Sequence, residues 1–81
     1  MKPDELRSTV LSTLKTIAPE LDAAGVDPAR SLRSQVDLDS MDWLNFLIAL
    51  HVRLGVEIPE TDYGKLQTLD GILAYLAQKL A

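Results

Sequence analysis

The chain has 81 residues, 47% hydrophobic and 25% charged, with no cysteine and one histidine; this is enough apolar mass for a packed core, and it excludes disulfides, thiolate metal sites and a histidine-rich metal centre. A formal net charge of −4 and a pI near 4.7 exclude a basic nucleic-acid-binding face and suit partners with basic docking surfaces. No apolar run is long enough to insert in a membrane and Met1–Glu5 shows no signal-peptide pattern, so one cytoplasmic domain over 1–81 is expected.

The first helix opens at Pro3, with Asp4 and Glu5 at the positive end of its dipole. Leu6, Val10, Leu14 and Ile17 give it one core-facing stripe, and Pro19 ends it near Ala18. From Pro19 to Leu38 no period persists, and Gly25, Asp27 and Pro28 punctuate the stretch. A loop this long needs its own anchors. Leu21, Val26, Leu32, Val36 and Leu38 are placed to pin it, and Asp27–Arg30 reads as a short helical turn. Arg30 and Arg33, the only close basic pair, read as solvating this loop.

The second long helix starts at an Asp39 N-cap, with Asp42 three residues on in an acidic variant of the capping box, and stops at Leu54 before Gly55. It carries two apolar stripes. Trp43, Leu47, Leu50 and Leu54, with Phe46 at the edge, form one; Met41, Leu44, Ile48 and Val52 form the other. One stripe suffices to join a core. In a chain of this size, burying a helix all round is hard to arrange, so the second stripe is read as awaiting a partner. His51 lies beside that stripe and reads as a surface residue, and Trp43 as core.

After Val56 and Ile58, Pro59–Tyr63 reads as a short helix stopped by Gly64, the most mobile regular element. Thr68 caps the last helix, whose stripe is Leu69, Ile72, Leu73, Leu76 and Leu80. Gly71 inside it either allows a close approach or is incidental, and Tyr75 reads as core-edge. With no strand pattern, the fold expected is all-α: a small antiparallel four-helix bundle, three helices long and one short, with a long loop between the first two.

Ser40 stands among Asp37, Asp39 and Asp42 at the start of the second long helix. A nucleophilic serine needs a nearby base and an oxyanion hole, but His51 is far along the same helix and there is no G-x-S-x-G elbow. No catalytic residue is therefore expected, and Ser40 reads as the target of another enzyme that brings its own base and metal. The acids do not make an EF-hand: counted from Asp37, the glycine position holds Asp42 and the final glutamate position holds Ile48, so no metal site is expected.

Asp39-Ser40-Met41-Asp42 before an apolar helix resembles the D-S-[LM]-[DE] attachment motif of acyl carrier proteins. Val56-Glu57-Ile58-Pro59 and Leu66-Gln67-Thr68-Leu69 resemble that family's segments after the second helix and at the opening of the last, with matching order over residues 36 to 80. The resemblance implies that Ser40 carries 4′-phosphopantetheine derived from coenzyme A, installed by a phosphopantetheinyl transferase with Mg²⁺. It also implies that acyl thioesters on the arm are presented to loading, elongating or transferring enzymes of lipid or secondary-metabolite synthesis. The family's docking surface maps onto Met41, Leu44, Asn45, Ile48 and Val52. If a fatty chain enters the core, its mouth is expected between the short helix and the second helix, with Tyr63 either lining it or packing on the surface.

Two departures stand out. The exposed stripe is nearly uncharged where many housekeeping carriers are acid-rich, and Asp37 replaces the usual glycine two residues before the aspartate. A monomeric carrier with dedicated partners, whose docking is weakly sensitive to salt, is expected. The alternatives are a peptidyl or aminoacyl carrier of the same fold, and an unmodified helical interaction module.

Overall fold

A computed structural model describes all 81 residues. Its helices are α1 (Pro3–Ile17), α2 (Leu32–Val36), α3 (Ser40–Leu54) and α4 (Leu69–Leu80), with 3₁₀ segments at Ala23–Gly25 and Glu60–Lys65. The expected three long helices form where their periodic stripes run, and α1 packs against both α3 and α4. Leu6, Val10 and Leu14 of α1 meet Phe46, Leu47 and Leu50 of α3 and Leu69, Ile72 and Leu76 of α4 in one continuous core. Each large side chain so buried contributes roughly 1.5–3 kcal/mol before chain entropy is subtracted.

The ends of α3 follow the local chemistry. The Asp39 side chain accepts from the Asp42 amide at 2.7 Å, and Gly55 takes the left-handed conformation (φ 65°) past Leu54. The exposed His51 ring pins this exit. Its Nδ1 lies 2.7 Å from the Val56 carbonyl, which can only accept, so that nitrogen carries the proton. On the same helix, Arg53 Nη1 donates to the hydroxyls of Ser12 and Thr13, both at 3.0 Å, tying α3 to α1.

The connection from Pro19 to Leu38 is more ordered than its composition suggests. Leu21, Val26, Leu32 and Leu38 are buried, as expected of anchors; Val36 is half-buried. Asp27–Arg30 forms a hydrogen-bonded turn, whereas the helical segment is α2, one step later. The Gln35 side chain clasps this stretch by accepting from the Asp27 amide at 2.7 Å and donating to the Asp27 carbonyl at 2.8 Å. Asp37 ends α2 with φ 51°, the only non-glycine residue at positive φ.

The short helix after Pro59 also departs from expectation. It is a 3₁₀ helix that continues through Gly64 to Lys65, because Gly64 does not adopt a positive φ and so does not break it. Tyr75 holds it down. Its hydroxyl donates to Asp62 at 2.6 Å, and Lys65 pairs with the same carboxylate at 3.5 Å. Gly71 proves structural: a Cβ there would lie 2.9 Å from the Lys65 carbonyl oxygen, so its absence lets the 3₁₀ helix end against α4. Thr68 caps α4 as expected, accepting from Gly71 N–H at 2.9 Å.

Candidate functional site

Ser40 is the first residue of α3, solvent-exposed, with its hydroxyl in no hydrogen bond within the chain. The cap explains this. Asp39 takes the capping duty, so the next side chain is left free. The amides of Ser40 and Met41 precede the first intrahelical bond, which runs from Trp43 N–H to the Asp39 carbonyl at 3.0 Å. Free amides and the helix dipole favour an anion on this serine. Asp37 and Asp39 are exposed and Asp42 is half-buried, so their repulsion acts across solvent and is screened within about 8 Å at physiological salt. An outward-projecting phosphodiester therefore fits here, and a group folded back into the core at this point does not.

Nothing near Ser40 equips it as a nucleophile in its own right. His51 is engaged with Val56 at the far end of α3, and no cluster of metal-ligating side chains forms anywhere in the chain.

The two stripes of α3 separate, but the buried one is centred on Phe46, expected only at its edge, while Trp43 and Leu54 at its ends are half-buried. Phe46, Leu47 and Leu50 are sealed in the core, whereas Met41 (66% exposed), Leu44 (38%), Ile48 (48%) and Val52 (73%) face solvent, with exposed Asn45 among them. Arg53 is turned to α1, leaving this strip without a lysine or arginine along its length.

Two cavities border α3, and Tyr63 lines both. The smaller, about 130 Å³, lies between α3 and the segment after it, among Leu47, Ile48 and Ile58, at the mouth expected from sequence. The larger is an open groove of about 700 Å³ between α2, the start of α3 and the 3₁₀ helix Glu60–Lys65. Trp43 is half-buried, tilted against Phe46 with ring centroids 5.3 Å apart, and also forms a wall of this groove. Arg33 and Gln67 line it too, which sequence reasoning missed. They meet because Leu32 N–H bonds the Gln67 carbonyl at 2.8 Å, a long-range pairing without a periodic signature.

Residues 4–76 match the family model described as "Phosphopantetheine attachment site". The chain is 31% identical over 78 residues to an acyl carrier protein of Thermosynechococcus vestitus, covering 93% of this chain and 96% of the relative. It is 30% identical over 78 residues to an acyl carrier protein of Streptomyces coelicolor, covering 96% and 80% respectively. The solution structure of a candidate acyl carrier protein from Anaplasma phagocytophilum superposes with a TM-score of 0.85 at 26% identity, covering all of this chain and 94% of that one.

Proposed function

Because the chain belongs to the acyl carrier protein family, a family of non-catalytic carriers that use 4′-phosphopantetheine, we propose that Ser40 is the residue bearing that arm. When bound, the arm supplies a terminal thiol that holds acyl groups as thioesters. The chain's own part is positional. Asp39 fixes the first turn of α3, and the unbonded Ser40 hydroxyl is presented to a transferase. The oxygen forms a new bond to the phosphorus of coenzyme A as the bond to the nucleotide portion breaks. The Ser40 proton passes to the transferase's base, and the free amides of α3 face the resulting phosphodiester. The exposed, unbonded hydroxyl at a helix start is the observation that carries this reading.

Met41, Leu44, Asn45, Ile48 and Val52 form the surface on which the transferase and acyl-handling enzymes dock. Support comes from four large apolar side chains left in solvent on a helix whose other face is fully used. The carrier acts as a cytoplasmic monomer serving enzymes of lipid or secondary-metabolite synthesis. Incubation with coenzyme A, Mg²⁺ and a broad-specificity transferase is expected to add the mass of one arm, and Ser40→Ala to abolish the gain while leaving Tm unchanged. A wild-type protein that stays unmodified, or a Ser40→Ala protein that still gains the mass, overturns the assignment.

A further inference from the structure

We infer that Trp43 is a specificity-determining residue: its indole closes the core to the Ser40 arm, so that cargo is carried outside the bundle and a long alkyl chain finds no shelter within it. This rests on Ser40 as the attachment residue. Two side chains stand one helical turn from Ser40 on α3, Trp43 and Leu44. Leu44 faces solvent, whereas Trp43 is turned inward, half-buried over the fully buried Phe46 with ring centroids 5.3 Å apart. The way inward from the serine therefore runs past the indole.

Beneath this pair the core is full. Phe46, Leu50, Leu69, Ile72 and Leu76 are completely buried, and an interior packed to crystal density accepts added methylenes only by shifting side chains. The cavity of about 130 Å³ holds roughly the liquid-volume share of four water molecules, and it lies further along α3, at Leu47, Ile48 and His51. Tyr63 is the one wall residue that this cavity shares with the groove beside Trp43, so the two are separate spaces. An arm rooted at Ser40 thus meets Trp43 before it meets any room inside the bundle.

An alkyl chain enters a bundle when the apolar area it hides outweighs what it displaces. Here it would have to lift Trp43 off Phe46, which exposes indole surface and gives up an aromatic contact. Both losses offset the burial of the chain itself. A small residue at position 43 would instead leave a pit over Phe46, one turn from the serine, and an alkyl chain would gain by filling it. The indole therefore discriminates by apolar length. A short or polar acyl group has little surface to hide and loses nothing, whereas a long saturated one stays in water.

The test loads wild type and Trp43→Ala through a transferase, using the acetyl and a long saturated acyl thioester of coenzyme A. Mass first establishes that Ser40 is loaded; failure here defeats the attachment assignment and is distinct from failure of the role given to Trp43. On loaded protein, thioester cleavage by hydroxylamine is timed, each rate being referred to the same loaded protein unfolded in denaturant. The NMR signals of Phe46, Leu47 and Leu50 are followed alongside. In wild type, the two thioesters are expected to cleave alike and the core signals to stay in place. In Trp43→Ala, the long-chain thioester is expected to cleave about five- to tenfold more slowly than the acetyl one, as for a chain held inside the bundle most of the time. A merely structural role for Trp43 would lower Tm equally for both cargoes and leave cleavage independent of chain length. Trp43→Val, which keeps a branched apolar side chain, replaces Trp43→Ala if the latter does not fold. The role of Trp43 is overturned if wild type protects the long chain or its core signals shift on loading. It is equally overturned if the folded variant cleaves both cargoes at the same rate.

Discussion

The α1–α3–α4 block and the side built from α2 and the 3₁₀ helix Glu60–Lys65 are held together by different physics. In the block, long stripes of leucine, isoleucine, valine and phenylalanine interlock, and burial provides the cohesion. On the other side the elements are too short to hold by propensity or by a wide apolar face, and each reaches the core through one leucine, Leu32 or Leu66. Hydrogen bonds at their ends join them to the rest: Leu32 N–H to the Gln67 carbonyl, Asp70 N–H to the Pro28 carbonyl at 3.0 Å, and Tyr75 to Asp62. The proposed attachment serine sits on the seam between the two regimes, at the start of α3 and beside the groove that the shorter elements wall.

The sharpest way to break this contrast is to cut into the block and compare with its own outer face. Leu50→Ala removes a fully buried side chain and is expected to cost about 2–5 kcal/mol in denaturant unfolding. Ile48→Ala, two residues away on the exposed strip, is expected to stay within about 0.5 kcal/mol of wild type. Equal costs would mean that the outer strip is part of the core after all.

The junction of the two regions comes next. Gly71→Ala would normally raise the stability of a helix, yet here the new Cβ meets the Lys65 carbonyl oxygen at 2.9 Å, and backbone must move to relieve it. A net loss of about 1–2 kcal/mol is expected, with amide exchange quickening first in residues 60–66. A stabilised variant would show that the 3₁₀ helix does not lean on α4.

A smaller effect of opposite sign is expected at Asp37, which holds a left-handed conformation that glycine adopts freely. Asp37→Gly is expected to raise stability by about 0.5–1 kcal/mol, measured by chemical denaturation. Loss of stability would mean that the side chain contributes more than its backbone strain costs.

The smallest effect is pH-dependent. Burial, followed by the adjacent Asp62 carboxylate, pushes the Tyr75 hydroxyl from 10.0 up to about 12. The Asp62 carboxyl is lowered, chiefly by the bond it accepts from Tyr75 and then by Lys65, with burial opposing. For Tyr75 a raised value means that its contribution is complete below 10.0 and lost as pH climbs towards about 12. For Asp62 a lowered value means that its contribution is complete above the ordinary carboxylate range and lost as pH falls through and below it. The Tm difference between wild type and Tyr75→Phe is therefore expected to be greatest near neutrality and to shrink towards both extremes. A difference independent of pH would leave only packing to explain it.

The same contrast explains what could be read from the sequence. The bounds of α3, its Asp39 cap, its Gly55 stop and the division of its two stripes were all legible, because capping and periodicity act over neighbouring residues. The Thr68 cap of α4 was legible for the same reason. α2 was not: five residues with only Leu32 buried present no period, and the helix exists because Leu32 is sealed in the core and joined to Gln67. Nor did the sequence tell that Gly64 would be carried through a helix or that Tyr75 would reach Asp62, since both depend on how distant segments meet. Of the candidate site, Ser40 and the outer strip were visible in the sequence, but the groove, assembled from Arg33, Trp43 and Gln67, was not.

The Gln35 clasp has a bearing on how this scaffold can be remodelled. Because it closes Asp27 to Gln35 locally, the arc around Ala23–Gly25 upstream is a separate bight, exposed and tethered by Leu21 on one side and Val26 on the other. Extra residues inserted as a flexible loop in this exposed arc cost little closure entropy, about 0.6 kcal/mol for each doubling of its length. Lineage variation in length, or a grafted tag or dye, can thus be absorbed there without passing strain to the serine.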